Sequence, residues 1–370
     1  MENSAFLAPS GAPARYVTHM TSTAYLQAIG TATPTHDIHT AFVDWARDRL
    51  PGRPARLFER MAARAGIAHR WSVLPEDAGS PVAVGGFYAA EPLPGTGARM
   101  ALYAAAAPAL ALAAVAALAE QVALDGITHL VVASCTGFVA PGVDQIIARR
   151  LGLAATVERT LIGFMGCYAA VVALRTARHI VRSESAARVL VVTVELSTLH
   201  LQASDELEPL LAMLQFGDGA AAALVTAAPG GLALERPFSA ALEESDSLIR
   251  WDITDRGFAM HLSGEVPGRL SGALRDRALV DSLTGGAAVD RWAVHAGGRS
   301  ILDSVEQALA LPPEALADSR AVLRDCGNMS SATLLFVLAR VLRGAPVRHG
   351  VALAFGPGMA AEGIAFRTAP

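Results

Sequence analysis

"IGFMGCYAAVVAL", residues 162–174, sets one cysteine between a glycine-bearing turn and a long apolar run. The run predicts a helix that continues to about Ser183, with Cys167 at its N-terminus. Unpaired N–H groups and the helix dipole at that end favour an anion and lower a thiol's pKa. Gly163 and Gly166 let the backbone turn sharply and let a ligand approach. The same residues also fit an inert buried thiol, since free cysteine packs as a small apolar side chain. Around this run, apolar strands alternate with helical stretches. "HLVVASC" (129–135), "RVLVVTVEL" (188–196) and "AAAALVT" (220–226) read as strands, and "VDQIIARRL" (143–151) as a short helix. Such alternation marks an α/β protein with much of its sheet buried.

The second part of the chain repeats this grammar. "DRWAVHAGG" (290–298) is a strand ending in a histidine, followed by the helix "RSILDSVEQAL" (299–309). "VLRDCGNMSSATLLFVLARVL" (322–342) reads as a turn into a helix. "HGVALAFGPGMAAEGIAF" (349–366) reads as a strand, a glycine loop and a closing strand. With the midpoint near "AAPGG" (227–231), the chain divides into a loose tail, 1–22, and two halves, 23–229 and 230–370. Similar wiring in both halves, with chemical residues at strand ends, points to an internal duplication. No repeat of 20 to 50 residues is visible, which excludes solenoids and propellers.

Composition narrows the function. The chain has 370 residues, 52% hydrophobic and 17% charged, with a formal charge of −4. No block of basic residues marks a nucleic-acid surface. All 30 basic residues are arginine. The lack of lysine removes Schiff-base chemistry, a pyridoxal-phosphate anchor and a Walker-type lysine. Cys135, Cys167 and Cys326 are far apart and odd in number, so neither a disulfide framework nor a metal site is expected. Free thiols suggest a reducing, cytoplasmic setting. The first residues lack the apolar core of a signal peptide. "MALYAAAAPALALAAVAALA" (100–119) has the length of a membrane span, but it is mostly alanine and Pro108 interrupts it. It is expected to be a buried helix that runs on to about Asp125, with residues 75–98 before it as loop.

Three further places could carry chemistry. His295 ends a strand and enters a glycine turn, where a neutral ring can take a thiol proton or donate to an oxyanion. Asn328 precedes a helix; it fits an N-cap, and equally an amide donor beside His295. Gly356, Pro357 and Gly358 fix an unusual turn that can line a pocket or close a hairpin. "FGDG" (216–219) leads into a strand rather than from a strand into a helix, so dinucleotide binding is rejected.

As a set, "GFMGCYAA", "FGDGAAAALV", "GFAMHLSGEVPG", "VHAGGRSILD", "CGNMSSAT" and "FGPG" resemble a type III polyketide synthase of the chalcone-synthase-like branch of the thiolase superfamily. The resemblance runs from about residue 24 to 368. It implies the duplicated five-layered α/β/α/β/α thiolase-like fold, a homodimer, and no metal or organic cofactor. It makes Cys167, His295 and Asn328 a catalytic triad. The implied reaction loads an acyl group from acyl-CoA onto a Cys167 thiolate paired with protonated His295. Malonyl-CoA then loses CO₂ to an enolate held by His295 and Asn328, and the enolate extends the chain.

The resemblance also implies pocket residues. Phe216 matches a gate phenylalanine; Met260 stands where a second one is usual; Trp251 replaces a small glycine. Cys135, Thr136, Ser197, His200 and Ser330 match lining positions, and Ala140 a bulkier wall residue at the dimer seam. A blocked lobe at Trp251 and open space at Ala140 lead to an expected linear acyl starter and an alkylpyrone or alkylresorcinol product. Arg56, Arg60 and Arg64 recur on one helix face. Arg60 and Arg64 match the family's CoA-binding basic helix, while a solvated charged face is the plain alternative. The rival functions are a single-condensation ketoacyl synthase III, a thiol hydrolase, or a silent acyl-binding member of the fold.

Overall fold

The computed structural model describes residues 22–74, 86–89, 92–202, 204–242 and 245–370. The segment read as a loose tail lies outside the described residues except for residue 22, as does most of 75–91. The first half contains strands β1 (Ala24–Ala32), β2 (His36–Asp37), β3 (Trp71–Ser72), β4 (His129–Ser134), β5 (Glu158–Gly163), β6 (Val189–Leu196) and β7 (Asp218–Thr226). Its helices are α1 (His39–Arg49), α2 (Gly52–Arg64), α3 (Thr96–Ala119), α4 (Val143–Arg150), α5 (Ala169–Ser183) and α6 (Leu207–Met213). The second half contains β8 (Leu232–Ala241), β9 (Ile249–Thr254), β10 (Gly257–Leu262), β11 (Arg291–Val294), β12 (Gly350–Gly356) and β13 (Ala360–Thr368). Its helices are α7 (Val266–Ala273), α8 (Arg277–Thr284), α9 (Arg299–Ala308), α10 (Ala317–Cys326) and α11 (Ala332–Leu342).

The duplication is visible in the pairing. The first half runs β1-β7-β6-β4-β5 and the second β8-β13-β12-β11. In each, the first strand pairs antiparallel with the last, the last antiparallel with its predecessor, and that strand parallel with the next. A short antiparallel pairing of Ala24–Leu26 with Leu232–Leu234 joins the halves into one nine-stranded sheet.

Three apolar clusters stack the layers. α5 and α11 are buried between the half-sheets, and each touches strands of both. α3 covers the outer face of the first half, and α7 and α9 that of the second. This gives helix, sheet, helix, sheet, helix, the thiolase-like arrangement. Strands β4, β6 and β7 are buried at every position, as expected for strands covered on both faces.

Some local expectations give way. α3 passes through Pro108 without a break and stops at Ala119, short of Asp125. The Gln121 amide ends it by donating to the carbonyls of Ala117 and Ile29. Among the described residues it is the helix long and apolar enough to cross a membrane, and here it packs on β1, β6 and β7. "VLRDC" closes α10 rather than forming a turn, so Asn328 lies in the link from α10 to α11. Ser331, not Asn328, occupies the N-cap position of α11.

Candidate active site

The duplication places strand ends of both halves at one seam. Cys167 lies in a tight turn, Gly166–Tyr168, that feeds the buried central helix α5. Gly166 has φ +74°, and a Cβ on it would meet the Pro357 ring at 2.5 Å. The cysteine turn and the Gly356–Pro357–Gly358 turn therefore pack directly against each other. On the other side, Asn328 is locked by backbone. Its N–H donates to Gln215 O (2.8 Å), and its carbonyl accepts from Gly217 N (3.0 Å). Phe216 thus forms a parallel bridge with Asn328 across the two halves.

Side chains complete the arrangement. Asn328 Oδ1 accepts from Ser330 N (2.8 Å), and its Nδ2 donates to Gly297 O (3.2 Å), two residues past His295. Ser330 is held at φ +46°, uncommon for a residue with a side chain. Its hydroxyl lies 3.1 Å from Cys135 Sγ. His295 follows β11 and is 1% exposed, and among the described residues neither ring nitrogen has a hydrogen-bond partner.

The electrostatics depart from the sequence reading. Burial pushes the Cys167 thiol up to about 11, against the pull of hydrogen bonds from Ser330 and Asn328. Burial alone lowers His295 to about 3. The resemblance implies a thiolate–imidazolium pair; burial instead shifts each group toward its neutral form. The helix-end field acts on a fully desolvated sulfur, and desolvation outweighs it.

Two cavities adjoin here. The smaller, about 330 Å³, is walled by Cys167, Cys135, Thr136, Ser330 and Pro357. The larger spans about 690 Å³ including its open mouth. Ser197, Phe216, Trp251 and Met260 line both, so these residues form the partition between them. Trp251 and Met260 are paired on the β9–β10 hairpin, and the indole N–H donates to Cys135 O (3.0 Å). His200 stacks on Phe258 at 4.2 Å, with Nε2 2.7 Å from Thr136 O.

Other expected residues fall elsewhere. Ala140 is exposed and lines neither cavity within this chain, while Ser197 and His200 line the larger one. Arg56, Arg60 and Arg64 sit on the exposed face of α2 and also line neither. Among the buried charged residues that the sequence reading did not single out are Glu195 and Arg70. Glu195 binds the Cys135 N–H (3.0 Å), the Cys135 thiol (3.3 Å), the Thr136 hydroxyl (2.9 Å) and the Ser331 hydroxyl. Arg70 lines the larger cavity. A lone acid inside the apolar strand "RVLVVTVEL" was the available signal for Glu195. Arg70 had none, because it reads as one more arginine after a basic helix.

Comparison with known proteins follows the geometry. Residues 14–229 match the family model for chalcone and stilbene synthases, N-terminal domain, and 234–370 match the C-terminal domain. The alpha-pyrone synthesis polyketide synthase-like Pks18 of Mycobacterium tuberculosis is 35% identical over 251 residues, 64% of each chain. The chain thus spans under two thirds of the length of that curated relative. Bisdemethoxycurcumin synthase of Oryza sativa subsp. japonica is 40% identical over 299 residues, 73% of each. Among solved structures, PKS-I of the brown alga Ectocarpus siliculosus superposes with TM-score 0.86 at 29% identity, covering 95% of this chain and all of that one. The type III polyketide synthase domain of Steely1 from Dictyostelium gives 0.84 at 25%, covering 94% of this chain and all of that one.

Proposed function

The chain belongs to the chalcone and stilbene synthase family, and from that premise we propose that it works as a type III polyketide synthase. It loads a starter acyl group from acyl-CoA onto Cys167 and extends it with malonyl-CoA. The observation that supports this reading is that Cys167 and Ser330 wall one enclosed cavity, while Asn328 accepts from Ser330 N and donates to Gly297 O, two residues past His295. Because both members of the Cys167–His295 pair rest neutral, the thiol proton leaves during attack on the thioester carbonyl. The neutral imidazole takes it and returns it to the departing CoA sulfur.

Malonyl-CoA then occupies the same seam. As its C–C bond to CO₂ breaks, negative charge gathers on the thioester oxygen. The Asn328 amide and one unengaged His295 nitrogen are the donors for that charge. The enolate carbon attacks the Cys167 thioester, and the chain grows by two carbons. This chemistry draws on no metal or organic cofactor.

The partition of Ser197, Phe216, Trp251 and Met260 favours a slender starter, with its tail in the larger, mostly apolar cavity. Trp251 fills space where a folded aromatic intermediate would sit. An alkylpyrone or alkylresorcinol product follows, in line with the printed name of the mycobacterial relative. The enzyme acts as a homodimer: β5 ends the sheet, and Leu161 and Phe138 beside it are each 47% exposed. Its three free cysteines suit the cytoplasm.

Intact-mass spectrometry tests the reading. Incubation with acyl-CoA adds one acyl group, Cys167→Ala adds none, and malonyl-CoA then yields pyrones or resorcinols without a carrier protein. A single β-ketoacyl product, or no acylation by any acyl-CoA, sinks it.

A further inference from the structure

Ser197 walls both cavities, and in the smaller one, about 330 Å³, it stands on the same wall as Cys167. It opens the short turn Ser197–His200 that follows β6. The backbone on either side is pinned. Leu196 N–H donates to Thr136 Oγ1 (2.8 Å), and Thr198 N–H donates to Asp218 Oδ1 (2.8 Å). Ser197 is therefore held in place by its neighbours and not by its own side chain.

The other hydroxyls that line these cavities are committed to the protein. Thr136 donates to Glu195 (2.9 Å), Tyr88 to the Thr198 carbonyl (3.0 Å) and Thr198 to Asp218 (2.7 Å), while Ser330 pairs with the Cys135 thiol (3.1 Å). The Ser197 hydroxyl has no hydrogen-bond partner among the described residues. Nor is it sealed, as the partnerless Thr193 hydroxyl is four residues earlier: Ser197 is 7% exposed and its oxygen keeps accessible surface. Around it the smaller cavity is apolar, with Phe216, Ile249 and Met260. A saturated chain lying there covers the hydroxyl and leaves it unpaired, which is costly. A chain that carries an acceptor oxygen pairs it instead.

We infer that Ser197 is a specificity-determining residue, whose hydroxyl donates to the ketone oxygen of a 3-oxoacyl group held on Cys167. This rests on the function proposed above and names the substrate class that the site selects. Each condensation releases CO₂ and turns the old thioester carbonyl into a ketone two carbons farther from sulfur. When the extended chain returns to Cys167 and CoA leaves, that ketone is the oxygen next along from the thioester. A saturated starter lacks it. The once-extended chain is thus reloaded in preference to a fresh starter, which favours repeated extension over release.

The test compares octanoyl-CoA with 3-oxooctanoyl-CoA on the full chain without malonyl-CoA, following Cys167 acylation by intact mass. The wild type half-saturates with the 3-oxo thioester at about fivefold lower concentration, the gain expected of one hydrogen bond. Ser197→Ala brings the two thioesters within about twofold, and Ser197→Thr, which keeps a hydroxyl, retains the preference. Ser197→Ala removes no protein hydrogen bond, so its urea midpoint stays at the wild-type value. Equal or reversed preference in the wild type overturns the inference and leaves the synthase reading standing. So does a preference that survives in Ser197→Ala, or a loss of acylation by both thioesters in that variant. Acylation of the wild type by neither thioester nor any other acyl-CoA overturns the synthase reading, and this inference with it.

Discussion

The two halves share a strand order but finish equivalent strands in opposite ways. β4 runs into Cys135 and Thr136, whose donors converge on Glu195 with the Ser331 hydroxyl. β11 runs into His295, whose ring has no hydrogen-bond partner among the described residues. Both titratable groups are buried, and burial drives each toward its neutral form: Glu195 up to about 7, His295 down to about 3. The difference lies in the bonds. Glu195 has its acceptor capacity filled by its own chain, which fixes it and the backbone around it. His295 has no such bonds: both ring nitrogens are buried without a protein partner among the described residues.

The largest effect is expected at Cys167, which walls the smaller cavity beside Cys135 and Thr136. Cys167→Ala removes the acyl-enzyme and lowers condensation by at least about 10³-fold, read by intact mass and product assay. Next come the two variants that set the regions against each other. His295→Ala lowers condensation by about 10²- to 10³-fold with little loss of folding stability, because no protein hydrogen bond is lost. Glu195→Ala leaves the donors of Cys135, Thr136 and Ser331 unpaired and costs about 3 kcal/mol in denaturant unfolding. Equal destabilisation by both variants breaks the comparison.

Titration sharpens it. The Glu195 pKa is raised on folding, from 4.5 to about 7. Its contribution relative to Glu195→Gln is thus fully present below pH 4.5 and lost as pH rises through about 7. The wild-type-minus-variant stability shrinks by roughly 2–3 kcal/mol between pH 4 and 8, measured by urea unfolding at each pH. A difference that is flat with pH shows that Glu195 is not buried as described.

Smaller effects test the partition and the periphery. Trp251→Gly joins the two cavities and lengthens the product distribution by about one extension, at a stability cost of roughly 1 kcal/mol for the lost indole hydrogen bond. Unchanged products mean that the indole does not limit chain length. Arg60→Ala with Arg64→Ala raises the KM for acyl-CoA about threefold at low salt, with kcat unchanged and the effect fading at high salt. No salt-dependent change returns both residues to a plain solvated face.

Much of the fold was legible, because buried strands and amphipathic helices write their periods into the chain. The glycine-bounded motifs were equally readable: Gly166 and the Gly356–Pro357–Gly358 turn look unusual in sequence and prove to be packed against each other. Less legible were places where a distant residue sets the outcome. The stop of α3 depends on a side chain bonding a carbonyl of β1. Asn328 looked like a helix cap only because α10 reads as a turn. Ala140, expected at a seam between two copies, is exposed and lines neither cavity of its own chain.

The sequence by itself determined the alternation of strands and helices, the doubled order of the halves, and which residue types stand at strand ends. These are properties of neighbours along a chain, set by local periodicity and backbone freedom. Only the tertiary structure decided the charge state of Cys167 and His295, the saturation of Glu195, and the unpartnered hydroxyl of Ser197. Each is governed by how completely water is removed and which distant polar atoms replace it, and that is a property of packing alone.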